Sequence, residues 1–571
     1  MGVINKVIGE FYPGKQVSYR KRRLIEWVFA EHKIAPLLQA ASGKQGLEWV
    51  ESIVESLELR CEVHSGDYDN IPSHGPVIVI ANHPTVVDGL ALINTIAMVR
   101  KDVKIVANQV LTAIFPQIKA ISIGISNMHG KMGHRQFKEM NDHLRQGGVL
   151  IICPAGRLAS ISLTGIRESR WQPGFIRLAT KYQAALLPVH ISGVNSPYYY
   201  LAATLWRPLS NLMFLREIAG HQGGRLRMRI CPQIALPRLH QQSIADDKIA
   251  DEVQRHLLRV GKGKPGGVAT ELPLARPEQK SLLINAFSQC RILKTLGDGK
   301  VLFHYRYQGE PYAPILQELG RLREIAFRAI GAGSGKRRDN DGYDHDYHHV
   351  ILWDPCELEV VGAYRITPAG EQIAKKGVEG LYSHELFHFD ESCLATLQAS
   401  FEIGRGFIQE RYQKTHALDA LWKGIFCFVI KYPEYKYLLG VLTIPNSFPT
   451  YAQALIVSFY QLYFSGSSLL DVSLAPYQVQ DPRICDFYAG NDFEQDWKKL
   501  NNSLRELGCA LPWPYKQMAR WFNYGGSTLL GFRDDNTFNS VVGLSLSEIA
   551  SLKKAYYMHY IAKAMAEPNH G

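Results

Sequence analysis

The chain has no apolar run long enough to cross a bilayer: no segment reaches the roughly 18 consecutive apolar residues that a spanning helix needs. It opens without a signal peptide, since Lys15 and the basic run Arg20–Arg23 follow with no apolar stretch between them. Its nine cysteines are odd in number, scattered, and contain no Cys-x-x-Cys pair, which fits a reducing compartment and excludes a disulfide framework or a zinc knuckle. No tract is polar enough to stay disordered, no internal repeat recurs, and nothing resembles a nucleic-acid motif.

What is present is a globular composition, 46% hydrophobic and 20% charged, over 571 residues, too many for one ordinary core. The charge is uneven: 32 Lys and Arg stand against 20 Asp and Glu through Lys262, and 32 against 33 after it. The first half therefore carries the whole excess, which suits an anionic bilayer or an acidic protein partner. The densest basic run is Lys15, Arg20, Lys21, Arg22 and Arg23, next to the apolar Leu24–Ala30. Residues 261–279, rich in Gly, Pro and charge, read as a linker. The expected organisation is a domain over 1–262, a linker over 263–280 and a domain over 281–571.

Both halves read as α/β. Pro76–Asn82, Val149–Cys153 and Ala185–Ser192 are short apolar runs of buried-strand type, each followed by a turn and a longer segment. Val350–Trp353, Val360–Ile366 and Tyr437–Ile444 read as strands, with a helix expected over Phe407–Ile425. Tyr198–Phe214, aromatic and apolar but interrupted by Arg207, reads either as a helix lying in a membrane interface or as a buried core helix.

The first chemical site lies in Asn82–Asp88, NHPTVVD. Five residues turn a helix by roughly 500°, leaving His83 and Asp88 about 140° apart, so one helix face cannot hold both. His83 is expected on the turn leaving the strand, with Pro84 opening the helix that carries Asp88. A carboxylate on one ring nitrogen fixes the tautomer and leaves the other nitrogen as a base. In order along the chain follow Ile152–Ser160 (ICPAGRLAS), Trp171–Phe175 (WQPGF) and Leu187–Ser196 (LPVHISGVNS). Together these blocks resemble the glycerolipid acyltransferase family over roughly residues 70–240. The resemblance implies that His83 deprotonates an acceptor hydroxyl that attacks an acyl thioester, with Pro154, Gly156 and Arg157 at the acceptor. The family's block reads Pro-Glu-Gly-Thr-Arg and helps hold a phosphate. Here it reads Pro154-Ala155-Gly156-Arg157-Leu158, which favours an acceptor without phosphate, such as a hydroxyacyl amino acid.

In the second half, Arg321-Leu-Arg323-Glu324, Ala326-Phe327-Arg328, Asp344 and Asp346, Tyr364-Arg365 and Phe401–Gly406 follow in order. The pattern continues through Leu421–Ile425 and Tyr437–Asn446 to Leu511-Pro512, Tyr515-Lys516, Gly525-Gly526, Asp534 and Phe538-Asn539. Over roughly 300–560 it resembles the ornithine N-acyltransferases, a GNAT-like branch related to acyl-homoserine-lactone synthases. The resemblance implies a pantetheine phosphate held by backbone N–H groups at Gly404 and Gly406, with Arg405 adding charge. It implies Glu402 as the group that holds or deprotonates the amine, and Asp344, Asp346 and Arg365 at the amino acid. His384–His388 matches the His-Glu-x-x-His zinc pattern. Tyr382-Ser383 precedes it, no clear third ligand follows, and the resembled family reads Ser-x-Glu-Leu-Phe there, so no metal is expected. His345, His348 and His349 read as a polar loop entering a strand.

The fold class expected is thus α/β in two domains, one glycerolipid-acyltransferase-like and one GNAT-like. The whole resembles the bifunctional ornithine-lipid synthases, enzymes of bacterial phosphorus-free membrane lipids. That implies N-acylation of an amino acid, ornithine first, with a 3-hydroxyacyl chain, then O-acylation of the new hydroxyl. Lysine, glutamine or glycine as acceptor, or an acyl-signal synthase with an inactive membrane-docking first half, are the alternatives. The donor implied is acyl carrier protein bearing a phosphopantetheine thioester, with no bound cofactor, no metal and no nucleic acid. The expected location is peripheral, at the cytoplasmic face of the inner membrane.

Overall fold

The computed structural model describes residues 30–125, 133–162, 165–205, 213–240, 244–466, 477–479, 481–484, 486–535, 540–562 and 565. Lys15, Arg20–Arg23, residues 24–29, Arg207 and Phe538-Asn539 lie outside them. The chain divides into two compact units, 1–273 and 274–571. The stretch expected as a linker is shared between them. Val268 donates its N–H to His256 Nδ1, and Thr270–Glu271 pairs with Gln233–Ile234 in the first unit. Ala275 donates to the Arg337 carbonyl and Glu278 pairs with Arg338 in the second. Among the described residues no helix is long and apolar enough to cross a membrane.

The first unit is built on a mixed sheet. Its strands are β1 (Arg60–Val63), β2 (Val77–Ala81), β3 (Val103–Asn108), β4 (Ser122–Ile125), β5 (Val149–Ile152), β8 (Ala185–Ser192), β9 (Arg225–Ile230), β10 (Gln233–Ile234) and β11 (Thr270–Glu271). A separate hairpin joins β6 (Ser160–Ser162) and β7 (Gly165–Arg167). The sheet order is β1-β9-β8-β2-β5-β3-β4, and β2 lies parallel to both its neighbours. Every residue of β2 is buried, and its alternation serves two cores. Val77, Val79 and Ala81 pack on the side of the helix Asp88–Ala97, while Ile78 and Ile80 pack on that of Gly174–Tyr182 and Asp246–Gly261. A strand covered on both faces has no polar side to present, so it reads as a continuous apolar run.

The second unit holds β12 (Arg291–Thr295), β13 (Val301–Arg306), β14 (His348–Asp354), β15 (Glu359–Pro368), β16 (Ser400–Ile408), β17 (Tyr437–Pro445), β18 (Ser527–Asp535) and β19 (Ser540–Glu548). They pair in the order β12-β13-β14-β15-β16-β17-β19-β18, antiparallel except for β16 and β17. A parallel pair needs a crossover, and the helix Ala417–Val429 lies within it. This corrects the helix expected over Phe407–Ile425: Phe407 is the last but one residue of a nine-residue strand, and the polar turn after it delays the helix to Ala417. His348 and His349 are likewise buried inside β14 rather than in a loop, with His304 Nε2 and His348 Nδ1 2.7 Å apart.

Parallel register between β16 and β17 runs only from Ser400 opposite Tyr437 to Ile403 opposite Gly440. Beyond it both strands continue without pairing each other. β16 also bulges, with Arg365 opposite Gly404 but Ala363 opposite Phe407, and Arg405 takes a left-handed φ of 50°. Gly406 is required there, because a Cβ would lie 2.2 Å from the Tyr364 ring.

Candidate functional site

In the first unit the chain leaves β2 at Ala81, and Asn82 ties the turn down by exchanging two hydrogen bonds with the Ile191 backbone, at 2.7 and 2.8 Å. His83 follows, half-buried, with Nδ1 3.0 Å from Asp88 Oδ2. The helix opens at Asp88 itself and not at Pro84, which lies in the turn before it. The physical reason is local. Asp88 Oδ2 accepts the Thr85 N–H at 2.7 Å and Oδ1 accepts the Thr85 hydroxyl, so the carboxylate closes the turn that precedes its own helix. Both oxygens of this fully buried carboxylate are thereby engaged, and its charge sits at the positive end of the helix. The Nδ1 bond leaves Nε2 as the ring nitrogen without a hydrogen-bond partner among the described residues.

Glu168 is the residue that sequence reasoning missed here. Its Oε1 accepts the His83 N–H at 2.9 Å, so it grips the backbone of the very residue whose side chain is the base. Its Oε2 is buried, and Trp171 and Gln254 lie close enough to act on the carboxyl. Burial pushes this carboxyl up to about 7, against the pull of its hydrogen bonds. The only hint in sequence was an acidic residue just ahead of the WQPGF block, indistinguishable from a surface Glu between arginines.

His83 and Glu168 line a cleft of about 760 Å³ whose cations are Arg167, Arg170, Arg255 and Lys262. Arg170 is spoken for by a two-pronged pair with Asp251, at 2.7 and 2.8 Å. Of the expected acceptor residues, Pro154 accepts the Gln172 N–H, Gly156 turns with φ of 66°, and exposed Arg157 bonds to Ser169. None of the three is in the cleft wall. Ala159 is, and its N–H donates to the His83 carbonyl at 2.9 Å. A second cavity, of about 100 Å³ and almost wholly apolar, is walled by Trp49, Ile53, Leu90, Ile93 and Phe115 and reaches Val86 and Gly89 beside the dyad.

In the second unit three arginines and three aspartates interlock below the surface. Arg323 donates to Asp339 Oδ2 at 2.9 Å and straddles Asp344 at 2.7 and 3.1 Å. Arg365 bridges Asp341 at 2.5 Å and Asp344 at 3.1 Å, and Arg405 reaches Asp339 at 3.1 Å. Burial alone would raise the Asp344 carboxyl, but Arg323 and Arg365 hold it far below the usual carboxylate range. Arg365 also lies against the rings of Tyr343, Tyr347 and Tyr382, its guanidinium 5.1–5.5 Å from their centres.

Asp346 is not brought into this network. It lies in an outer ion pair with Lys376 at 2.6 Å. Residues two apart on a helical turn point about 200° away from each other, so the short helix Tyr343–Asp346 can turn only one of the two acids inward. Asp341, just ahead of that helix, exchanges backbone-to-carboxylate hydrogen bonds with Asp344 and joins it on Arg365.

Glu402 is buried and saturated: Tyr347 Oη–H and the Tyr382 N–H donate to Oε2, and the Ser383 N–H donates to Oε1 at 2.6 Å. Among the described residues no cationic side chain lies within ion-pair distance of it. Gly404, Arg405, Gly406 and Tyr382 line a cavity of about 220 Å³ with Gly440, Val441 and Trp422, in the gap where β16 and β17 stop pairing. Glu402 itself is one layer behind, linked to that wall through Tyr382. Within the His-Glu-x-x-His pattern, His384 stacks on Phe389 and Glu385 accepts the Tyr343 hydroxyl at 3.0 Å.

Comparison with known proteins follows the same division. Residues 62–192 match the family model described as Acyltransferase, and residues 322–423 match that of the acetyltransferase (GNAT) domain. The glycine N(alpha)-acyltransferase of Bacteroides thetaiotaomicron is 30% identical over 254 residues, covering 42% of this chain and 75% of that protein. This chain belongs to the glycine N(alpha)-acyltransferase family. The lyso-glycine lipid O-acyltransferase of the same organism is 25% identical over 202 residues, 35% of this chain and 71% of that one. A solved CoA-dependent acyl-homoserine lactone synthase overlaps 46% of this chain and 89% of its own, at 11% identity and a TM-score of 0.24. The chain is an enzyme that transfers acyl groups, with an acyltransferase domain N-terminal and a GNAT domain C-terminal.

Proposed function

We propose that the chain is a bifunctional aminolipid synthase. Its GNAT domain N-acylates an amino acid with a 3-hydroxyacyl chain, and its first domain O-acylates the hydroxyl so introduced. The observation that carries this reading is that one chain is similar to two separately named proteins of one organism, a glycine N(alpha)-acyltransferase and a lyso-glycine lipid O-acyltransferase. The first name describes the making of an N-acyl amino acid, and the second the acylation of such a lipid. Here both likenesses lie in a single polypeptide.

The chemistry is consistent with each site. In the GNAT domain the free amine attacks the thioester carbonyl, a C–N bond forms, the C–S bond breaks, and the amine's proton leaves with the thiol. The gap beyond Ile403 and Gly440, with Gly404 and Gly406 exposing backbone, suits the pantetheine arm. In the first domain His83 Nε2 takes the hydroxyl proton as the oxygen attacks the second thioester, then returns it to the departing sulfur. Asp88 stabilises the imidazolium in between. The apolar cavity reaching Val86 and Gly89 suits an acyl chain.

Ornithine as the amino acid is supported by the likeness of the pattern over roughly 300–560 to the ornithine N-acyltransferases. A glycine acceptor is the second reading, favoured by the relatives' names. Acyl carrier protein as donor is supported by the basic excess of the first half, since carriers are acidic. A lipid acceptor supports work at a membrane surface. The experiment is lipid profiling of a host expressing the chain. A new amine-positive, phosphorus-free, two-chain lipid is expected, and the mass of its head group names the amino acid. A soluble acyl signal in its place would refute the proposal.

A further inference from the structure

We propose that the hairpin β6–β7 and the helix Pro197–Leu205 together form the surface by which the first unit docks on an anionic lipid bilayer. In the hairpin Ile161 stands directly opposite Ile166, which puts both side chains on one face of the ribbon. That face is open to solvent, with the two side chains 54% and 42% exposed. The helix packs beside β6. It buries Tyr199, Tyr200 and Ala202 and turns Tyr198 and Leu201 outward, at 75% and 57% exposure. Three residues apart, those two share a side of the helix, and Val194 ahead of it is exposed as well. Single exposed apolar residues are ordinary on any protein, but large ones on adjoining elements mark a surface that something covers.

Charge says what covers it. Between Arg157 and Arg167 the chain contains no acidic residue, and from Gly193 to Trp206 it contains no charge of either sign. Both arginines are exposed, one on the turn entering the hairpin and one at its end. The exposed charges bounding the hairpin are cationic, while the neighbouring acids Glu168 and Glu217 turn onto His83 and Ser196, an arrangement that suits the boundary between acyl chains and anionic head groups. Location points the same way. Ile166 and Arg167 belong to the wall of the cleft that holds His83, so the patch is continuous with the acceptor site. This rests on the reading of the acceptor as a lipid, which would then pass from bilayer to base along one apolar surface.

The test is co-sedimentation of the full chain with vesicles of phosphatidylcholine mixed with phosphatidylglycerol, and of phosphatidylcholine alone. The wild type should bind the mixed vesicles more tightly. The triple variant Ile161→Ser, Tyr198→Ser, Leu201→Ser should bind them at least about tenfold more weakly, since each residue gives up apolar burial. O-acyl transfer to an acceptor dispersed in detergent should be unchanged in that variant, which also reports that it is folded. Binding equal to wild type would overturn the proposal in favour of another surface. Failure of the wild type to bind, with self-association that the variant abolishes, would assign the patch to a second copy of the chain. Vesicle binding is read without catalysis. A chain that binds through this patch yet makes no two-chain lipid would contradict the functional reading alone, and one that makes the lipid without binding would contradict the docking alone.

Discussion

Asp88 reaches back from the first residue of its helix to His83 five residues earlier, Oδ2 to Nδ1 at 3.0 Å, while its other contacts all go to Thr85. One carboxylate thus closes a turn, places its charge at the positive end of a helix and orients an imidazole. Asp88→Asn offers an amide N–H where an acceptor is needed and disturbs the tautomer. O-acyl transfer should fall by roughly 10²–10⁴-fold with N-acyl transfer unaffected. Assaying the two transfers separately on the same preparation checks this, and a parallel loss of both would point to misfolding instead.

Glu168 gives the first unit a pH dependence of defined sign. Its folded carboxyl titrates at about 7 against an unfolded value near 4.5, so the folded state holds an extra proton between them. Stability from this group is therefore greatest below about pH 4.5 and is lost as pH rises towards 7, on the order of 3 kcal/mol at most. Glu168→Gln keeps an oxygen for the His83 N–H and cannot ionise. Its thermal midpoint should gain on the wild type between pH 5 and pH 8, and curves that stay parallel across that range would contradict the assignment.

Asp344 and Asp346 should separate cleanly. Asp344→Asn leaves Arg323 and Arg365 short of a buried counter-charge, a change that typically costs about 3–5 kcal/mol, and N-acyl transfer should be lost. Asp346→Asn breaks only an outer pair with Lys376, worth about 1 kcal/mol or less. Denaturation and N-acyl assays of both variants decide the matter; equal effects would show that the inward and outward roles are misassigned.

At the bulge, Gly406→Ala forces a Cβ into the Tyr364 ring and should destabilise the second unit by about 1–3 kcal/mol. Gly404→Ala meets nothing within 4 Å and should fold normally. Unfolding monitored by tryptophan fluorescence would expose an error here if Gly406→Ala matched the wild type.

Much of the fold was legible because its central strands are buried on both faces. Ala185–Ser192 was read to the residue and β2 to within one residue at each end, since an apolar run bounded by turns has few other uses. Phe407 was not, because a strand through Gly404 and Gly406 loses its alternation and an apolar helix follows soon after. The His83–Asp88 pair was legible only with the blocks that follow it in order, Ile152–Ser160, Trp171–Phe175 and Leu187–Ser196, since spacing alone says no more than that the two cannot share a helix face. Asp346 was misjudged because proximity in sequence hides opposite directions on a turn, while Asp339 and Asp341 gain meaning only when Arg323, Arg365 and Arg405 converge on them. Glu168 needed the fold, which carries it 85 residues back to the His83 backbone.

The most direct test of the two-transfer account is mass spectrometry of the products made from ornithine, 3-hydroxyacyl carrier protein and acyl carrier protein by the wild type, His83→Ala and Asp344→Asn. The account predicts a two-chain aminolipid from the wild type, only the singly acylated N-acyl product from His83→Ala, and neither product from Asp344→Asn. Continued formation of the two-chain lipid by His83→Ala, or only a singly acylated product from the wild type, would contradict it.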